Sequence, residues 1–372
     1  NKGLFIYVQN LNSNEIWSAT YEPLNTVPER YKVVFSPDKA EFIRKDGSIE
    51  THTEITVSPE DQAEIRRVTL TNYGQHSREI ELTSYFEVVL AHHDADMAHP
   101  AFSNLFIRTE YVPEYGSLLA SRRPRTEKQS PMWAIHTVTV EGDAINEVQY
   151  ETDRFKFIGR NRDLSNPIAL DVSQPLTNTV GAVLDPIMSL RRRVKVEPGK
   201  SVKVSFIVAT ADSRKKALEL ADKYYDAKTP NRAFELAWTR SQIETEYLGL
   251  KAGDLETYLS MIPSLLFNSG LRRTWADKIG KNKKGQPDLW PYGISGDIPI
   301  ILLSLSSKDE IDVIHWTLKA HEFWRLKGLH IDLVILIEDE SSYTQPLQDA
   351  CRNAVASSHA RELVDRRGGV FV

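Results

Sequence analysis

The chain lacks the features that mark several classes of protein. It has one cysteine in 372 residues, which excludes a disulfide scaffold and favours a reducing compartment. No apolar run approaches the ~20 residues of a membrane-spanning helix, and residues 4–8 are too short for the apolar region of a signal peptide. The net charge of −5 gives no indication of a nucleic-acid partner. What remains is an ordinary globular composition, 41% hydrophobic and 26% charged, without an internal repeat or low-complexity tract.

Period-two alternation dominates residues 1–211. It is clearest at residues 80–90, where mostly apolar side chains at every second position alternate with polar ones such as Glu79, Glu81 and Glu87. Many short strands with few helices between them predict an antiparallel β-sandwich. We expect further strands at residues 4–9, 32–35, 41–43, 50–57, 65–71, 105–110, 133–140, 192–196 and 201–210.

The pattern changes to helical spacing after Asp212. Asp212-Ser213 is an N-cap signal, and Thr229-Pro230 opens a second helix. We therefore predict a β-sandwich domain at 1–211, a helical linker at 212–253 and a helical domain at 254–372. Because the chain begins with Asn1 rather than Met and stops inside an apolar run, we expect a piece of a longer polypeptide. In the last part we expect helices from about 254 and at 297–305, 309–326 and 344–364, with one strand-like run at 329–337.

The segment 289–300, LWPYGISGDIPI, has the composition of a sugar-binding site. Flat rings such as Trp290 and Tyr292 stack on the apolar face of a pyranose. Glycines such as Gly296 allow close approach of the backbone, and the carboxylate of Asp297 can accept hydrogen bonds from two adjacent hydroxyls. The residues alone leave a second interpretation open, in which Asp297 caps a buried helix that begins at Ile298.

The same segment resembles the signature LW-x-x-GISGD-x-P of the inverting β-glucoside phosphorylases, the family of cellobiose, chitobiose and β-1,2-oligoglucan phosphorylases. Three stretches match the family in the same order: SYFEVVL at 84–90, AHPAFSNLF at 98–106 and FIGRNRD at 157–163. The likeness covers nearly the whole chain and is closest to the phosphorylase-like C-terminal domain of cyclic β-1,2-glucan synthase. The chain resembles the N-terminal part of that domain.

This resemblance implies a β-sandwich (a supersandwich), linker helices and the first part of an (α/α)6 barrel. It also implies that Asp297 binds hydroxyls of the donor sugar and is not the proton donor, with Trp290, Tyr292 and Gly296 as further substrate-binding residues. Related phosphorylases carry an arginine a few residues before this acid, where the chain has Pro291 and Tyr292. The group that holds the donor hydroxyls or phosphate at that point therefore differs from the family pattern.

The chemistry implied by the resemblance is a single displacement with inorganic phosphate as co-substrate. Because phosphate is already a charged nucleophile, one carboxylic acid suffices, and it protonates the departing oxygen. The family places that acid beyond Val372, so we expect no catalytic residue in the chain and no activity from it alone. The expected partners are a β-glucan or gluco-oligosaccharide, glucose 1-phosphate, and a second copy of the sandwich in a homodimer. No organic cofactor or metal is expected.

Two hypotheses of function stay open at this point. The first is an incomplete catalytic domain of a β-glucan phosphorylase or cyclic glucan synthase, with a cytoplasmic location either as a free protein or as a domain of a membrane-anchored synthase. In this hypothesis the β-1,2 linkage rests on the likeness to the synthase. The second is a non-catalytic carbohydrate-binding or scaffold module built on the same sandwich.

Other polar clusters are interpreted as structural. Residues 92–99 contain three histidines and two aspartates, which are ligand types of Zn²⁺ or Mn²⁺. They are expected in a loop where these groups bond one another. Residues 121–125 and 160–163 are read as basic surface loops, residues 191–193 as the start of a surface strand, and the carboxylates at 338–340 as a solvated loop.

Overall fold

The computed structural model describes residues 3–124, 131–172, 174–267, 270–307, 310–338 and 346–372. It divides into two compact units, Asn1–Arg240 and Ser241–Val372. The three-part division at residues 211 and 253 stays a prediction.

The first unit contains two antiparallel sheets, which confirms the predicted sandwich. Its strands are β1 (Phe5–Asn10), β2 (Glu15–Ser18), β3 (Arg30–Phe35), β4 (Ala40–Asp46), β5 (Ile49–Val57), β6 (Ala63–Asn72), β7 (Arg78–Glu87), β8 (Ile107–Val112), β9 (Ser117–Arg122), β10 (Trp133–Glu141), β11 (Asp143–Ala144), β12 (Gln149–Asp153), β13 (Pro186–Val196) and β14 (Ser201–Ala211). The larger sheet has the order β3-β4-β5-β6-β14-β10-β9-β8. The smaller has the order β11-β13-β7-β1-β2, with β12 also paired to β13.

Alternation along β14 shows how the sandwich is held together. Val204 and Phe206 lie in the core between the two sheets, together with Leu82 of β7. Ile207 points to the opposite face of the larger sheet, where it packs with Ala221 of a covering helix. Burial of each large side chain stabilises the fold by about 1.5–3 kcal/mol, so both faces of this central strand contribute to stability.

Of the described α-helices that lie wholly within the first unit, three are short, and the fourth is longer and covers the larger sheet. Ser213 caps that helix by accepting a hydrogen bond from the backbone N–H of Lys216, as the sequence predicted. The histidine-rich segment, predicted to be a loop, forms a short helix instead. These helices are α1 (His93–Ala98), α2 (Pro100–Asn104), α3 (Arg154–Ile158) and α4 (Arg214–Tyr225).

Two of the arginine clusters are not the surface features that the sequence predicted. Arg191 lies in the middle of β13, is 2% exposed, and donates to the hydroxyl of Thr83 and to backbone carbonyls. Arg122 ends β9, is buried, and donates to the carbonyls of Val89 and Ser103. Both guanidinium groups satisfy buried acceptors. In the loop at 160–163, the predicted ion pairing is found between Arg162 and Asp171.

The second unit is built on three parallel strands in the order β15-β16-β17, namely β15 (Ile300–Leu305), β16 (Asp332–Ile337) and β17 (Val370–Phe371). Helix α9 (Ile311–Leu326) connects the first two strands and α10 (Pro346–Ala356) connects the last two. The remaining helices are α5 (Thr229–Tyr247), which runs from the first unit into the second, α6 (Ala252–Leu266), α7 (Leu271–Thr274) and α8 (Ala276–Lys281).

Side chains of the two longest helices of this unit lock together. The hydroxyl of Tyr258 on α6 donates to the carbonyl of Trp316 on α9 at 2.8 Å. The indole of Trp324 on α9 donates to the carbonyl of Tyr258 at 3.0 Å. Trp324 and Tyr258 are both fully buried. These hydrogen bonds therefore offset the free-energy cost of burying their polar groups.

The prediction of a helix at 297–305 is wrong, because residues 300–305 form strand β15, which pairs in parallel with β16. An apolar run of this length fits a helix or a strand equally well by periodicity. The helix at 309–326 and the strand at 329–337 are confirmed in their described parts as α9 and β16, and the helix at 344–364 is confirmed only for α10. Outside its three strands, the described part of the second unit is mainly helical, as the sequence predicted. The unit also contains a three-stranded parallel sheet that the sequence did not predict, and the first part of an (α/α)6 barrel stays a prediction.

Candidate functional site

Polar residues gather at one edge of the parallel sheet. Parallel strands run in the same direction, so the residues that precede them meet at a common amino-terminal edge. Asp297 lies three residues before β15, Asp332 is the first residue of β16, and Arg367 lies three residues before β17. The fold thereby brings together residues that are up to 70 positions apart in the chain.

The segment that carries Asp297 is shaped by two glycines. A 3-10 helix, Gln286–Tyr292, ends at Gly293, whose φ is 74°. Gly296 also has a positive φ of 72°, and a Cβ there would lie 3.0 Å from side-chain atoms of both Gln286 and Leu289. The side-chain amide of Gln286 donates to the carbonyl of Ser295 at 2.8 Å and closes the loop. The positive φ therefore favours glycine at position 296, and any side chain there would also require Gln286 or Leu289 to shift.

The carboxylate of Asp297 is exposed and held from two sides. The hydroxyl of Ser295 donates to Oδ1, and Nε of Arg367 donates to Oδ2 at 2.9 Å. The hydrogen bond from Ser295, with a further contribution from Arg367, lowers the pKa of Asp297 below its ordinary value. The side chain is 43% exposed. Asp297 is therefore an ionised, accessible hydrogen-bond acceptor at neutral pH, and the alternative in which it caps a buried helix is wrong because no helix follows it.

The two predicted ring residues are exposed on the same segment. Trp290 is 60% exposed and Tyr292 is 73% exposed. Within the described residues, no hydrogen bond or ring contact joins either of them to Asp297. The structure thus places the four predicted residues on one segment, with Asp297 held by hydrogen bonds and the two rings open to solvent.

Beneath this surface lies a buried carboxylate. Asp332 is fully buried, and its Oδ1 accepts a hydrogen bond from the backbone N–H of Gly368 at 2.7 Å. Burial raises the pKa of Asp332. The neighbouring His321 is 3% exposed and donates from Nε2 to the carbonyl of Ile331 at 2.9 Å, and burial lowers its pKa. These groups tie the start of β16 to α9 and to the turn that precedes β17.

That turn is a feature that the sequence analysis missed. A Cβ at Gly369 would lie 1.9 Å from the carbonyl oxygen of Leu363, so only glycine fits there. Gly368 has a φ of +75°. The adjacent glycines before the apolar pair Val370-Phe371 are a turn-then-strand signal. They could have indicated the strand, but nothing local indicates that Arg367 reaches Asp297.

One group of side chains in the first unit has the ligand types of a metal site. Among the described residues, potential ligand atoms of Glu41, His52 and Glu54 lie within 4.8 Å of one another. Nζ of Lys39 lies 2.8 Å from Glu54 and 3.2 Å from Glu41, and Arg67 lies 2.6 Å from Glu54. Burial acts to raise the pKa of Glu54, but the hydrogen bond from Lys39 and the charge of Arg67 outweigh it and lower the pKa. The group is an ion-pair network in which cations already neutralise the carboxylates.

Among the described residues, the histidines and aspartates of residues 92–99 do not bring three potential ligand atoms within 4.8 Å of one another. Of the carboxylates at 338–340, Asp339 and Glu340 lie outside the described residues. Cys351 is buried in α10. No helix in the described parts of the chain is long and apolar enough to cross a membrane.

Comparison with known proteins gives a family and several relatives. The family model for the glycosyl hydrolase 94 supersandwich domain matches residues 1–227. The cyclic beta-(1,2)-glucan synthase NdvB of Rhizobium meliloti (strain 1021) is 36% identical over 364 residues, which is 98% of this chain and 13% of that protein. Solabiose phosphorylase of Paenibacillus borealis is 24% identical over 59% of this chain and 27% of its own length. N,N'-diacetylchitobiose phosphorylase of Vibrio proteolyticus is 21% identical over 62% and 28%, respectively.

The chain thus spans less than a third of the length of each of these relatives. Its antiparallel sandwich lies within the matched residues, and the likeness to the synthase extends through the second unit as well. The resemblance drawn from the sequence motifs is confirmed, and the chain belongs to the glycosyl hydrolase 94 family, whose supersandwich domain it carries at residues 1–227.

Proposed function

We propose that the chain is part of an enzyme that phosphorolyses or transfers β-linked glucosyl units, and that Asp297 binds hydroxyls of the glucosyl unit. The observation that carries this proposal is the state of Asp297, which is exposed, ionised and fixed in place. The names of the relatives, a cyclic glucan synthase and two disaccharide phosphorylases, support the substrate class.

The electrostatics of Asp297 favour binding over proton transfer. A general acid must be protonated at the working pH, which requires a raised pKa. The hydrogen bond from Ser295 and the nearby Arg367 move the pKa of Asp297 in the opposite direction. An ionised carboxylate keeps lone pairs on both oxygens beyond the two bonds already made, and these can accept from sugar hydroxyls. We therefore assign Asp297 as a sugar-binding residue, and this role holds at all pH values above its lowered pKa.

Three neighbouring residues on the same segment complete the proposed binding site for the glucosyl unit. We assign Trp290 and Tyr292 as apolar surfaces for the pyranose ring, because both rings are exposed on the segment that ends in Asp297. Gly296 is assigned to the close approach of the backbone, since a side chain at that position would collide with Gln286 and Leu289.

The reaction assigned to the whole enzyme is a single displacement. Inorganic phosphate attacks the anomeric carbon while one carboxylic acid protonates the departing oxygen. We assign that acid, the main phosphate ligands and the remainder of the (α/α)6 barrel to other parts of a longer polypeptide, in which this chain contributes the sandwich, the first part of the barrel and the Asp297 segment. The linkage that we propose is β-1,2, because the relative matched over nearly the whole chain is named for it.

The test uses the full-length gene product with glucose 1-phosphate and sophorose, and it measures phosphate release. Asp297→Asn is expected to lower kcat/KM about a hundredfold or more, because hydrogen bonds to a charged acceptor contribute roughly 1.5–3 kcal/mol each. Asp349→Asn, at an exposed aspartate of α10, is the matched control and should leave the rate unchanged. Full activity in Asp297→Asn would remove Asp297 from the site, and release with cellobiose but not sophorose would overturn the linkage.

A further inference from the structure

Arg367 adds a cation to the edge of the sheet at which Asp297 lies. Its Nε donates to Oδ2 of Asp297, and the side chain is 61% exposed. Within the described part of the chain, Nη1 and Nη2 of Arg367 have no hydrogen-bond partner. An arginine has five N–H donors in a planar fork, so one bond to Asp297 leaves the outer donors for a ligand.

Carboxylate and guanidinium side by side match a pair of neighbouring hydroxyls. A sugar hydroxyl both donates and accepts, so one hydroxyl can donate to Asp297 while its neighbour accepts from Arg367. We propose that Arg367 is a second residue that binds the glucosyl unit. It donates from its outer nitrogens to the hydroxyl next to the one that Asp297 binds. This inference rests on the proposed function of the Asp297 site, and it names the residue that supplies the donor half of that site.

The backbone on either side of Arg367 is fixed. Gly368 donates its N–H to the buried Asp332 at 2.7 Å, and Gly369 donates its N–H to the carbonyl of Arg366 at 2.9 Å. Gly369 in turn accepts from the N–H of Leu333 at 2.9 Å, which joins the turn to β16. The guanidinium therefore starts from a rigid base, and less conformational freedom is lost when a ligand binds. Asp332 is assigned as a positioning residue that acts through this turn.

The experiment is isothermal titration calorimetry of the full-length gene product with two ligands, sophorose and glucose 1-phosphate. Arg367→Gln is expected to weaken both affinities by about 10- to 50-fold, since bonds from a charged donor are lost. Arg366→Gln, at the adjacent exposed arginine, is the matched control and should change neither affinity. Urea unfolding of each variant confirms that the fold is retained.

The role of Asp332 is tested with two substitutions. Asp332→Ala removes the acceptor of the Gly368 N–H and is expected to weaken both ligands about three- to tenfold, while Asp332→Asn keeps an acceptor and should restore most of the affinity. The double variant Arg367→Gln, Asp332→Ala should bind no more weakly than Arg367→Gln alone, because Asp332 acts through Arg367. A purely structural role of Asp332 would instead give additive losses.

The possible outcomes distinguish a failure of this inference from a failure of the proposed function on which it rests. If the unmodified full-length protein binds neither ligand, the proposed function fails, and the role of Arg367 fails with it. If the full-length protein binds both ligands and its Arg367→Gln variant binds them equally well, only the inference about Arg367 is overturned. A loss confined to glucose 1-phosphate would show that Arg367 contacts phosphate rather than the hydroxyls shared by both ligands, and it would also overturn the inference.

Discussion

A buried histidine in the sandwich leads to a prediction about pH and stability. His136 on β10 is fully buried between the two sheets. Its Nδ1 donates to the carbonyl of Ile207 at 2.9 Å, and its Nε2 accepts from the hydroxyl of Ser84 on the opposite sheet at 2.7 Å. Burial is the largest influence on this imidazole, and it lowers the pKa from 6.5 to about 4. The folded state therefore holds His136 neutral over a range where the unfolded chain binds a proton.

The sign and size of the effect follow from this shift. Because the folded pKa is depressed, the stabilising contribution is complete above pH 6.5 and is lost as the pH falls toward 4. A shift of this size corresponds to roughly 3 kcal/mol in total at about 1.36 kcal/mol per pKa unit. Between pH 7 and pH 5, the free energy of unfolding should fall by about 2 kcal/mol through His136 alone.

The assay is urea unfolding at pH 7 and pH 5, followed by hydrogen exchange in peptides from β10 and β14 so that the first unit is observed by itself. His136→Gln should remove about 2 kcal/mol of the pH dependence, and His92→Gln, at a side chain that is 83% exposed, should not change it. Ser84→Ala should lower stability but keep the pH dependence, because burial rather than the hydroxyl causes the shift. An unchanged pH dependence in His136→Gln would refute this reasoning.

Three further predictions about the packing are tested with four substitutions. Gly369→Ala should cost about 3 kcal/mol, because its Cβ would meet the carbonyl of Leu363 at 1.9 Å; a loss in urea unfolding below about 1 kcal/mol would contradict the tight turn. Phe206→Ala, in the fully buried core, should cost about 3–5 kcal/mol, whereas Phe35→Ala, at 67% exposure, should cost less than about 1 kcal/mol in the same measurement. Equal losses would show that the sandwich core is misassigned. Tyr258→Phe should lower the free energy of unfolding of the second unit by about 1 kcal/mol in thermal unfolding, because the tyrosine hydroxyl donates to a backbone carbonyl of α9. An unchanged free energy would show that this bond is not formed in solution.

The sandwich could be predicted wherever a strand has one core face and one mixed face. Residues 80–90 show this alternation, and the structure has β7 there at Arg78–Glu87. Strand β9 was missed for the opposite reason. Its Leu118 lies in the core between the sheets and Leu119 lies in the core beneath α4, so the sequence SLLASR shows no alternation. A strand buried on both faces loses the period that identifies it.

The second unit shows where local patterns stop being informative. Strand β15 begins with four consecutive apolar residues after Pro299, and its partner β16 begins only at Asp332. Parallel pairing depends on the crossover through α9, which a local window does not contain.

The candidate site divides in the same way between what the sequence predicted and what it missed. Asp297, Trp290, Tyr292 and Gly296 could be named because they lie in one segment. Arg367 could not, because its contact with Asp297 depends on the alignment of three strand ends.

The central claim is that Asp297 binds a glucosyl unit on this exposed edge of the sheet. Saturation-transfer NMR of the full-length gene product with sophorose tests it most directly, because the method observes the bound sugar itself. We expect transfer to the ring protons of one glucosyl unit with the unmodified protein and with its Asp349→Asn variant, and loss of this transfer with Asp297→Asn. Undiminished transfer with Asp297→Asn, or none with the unmodified protein, would contradict the account.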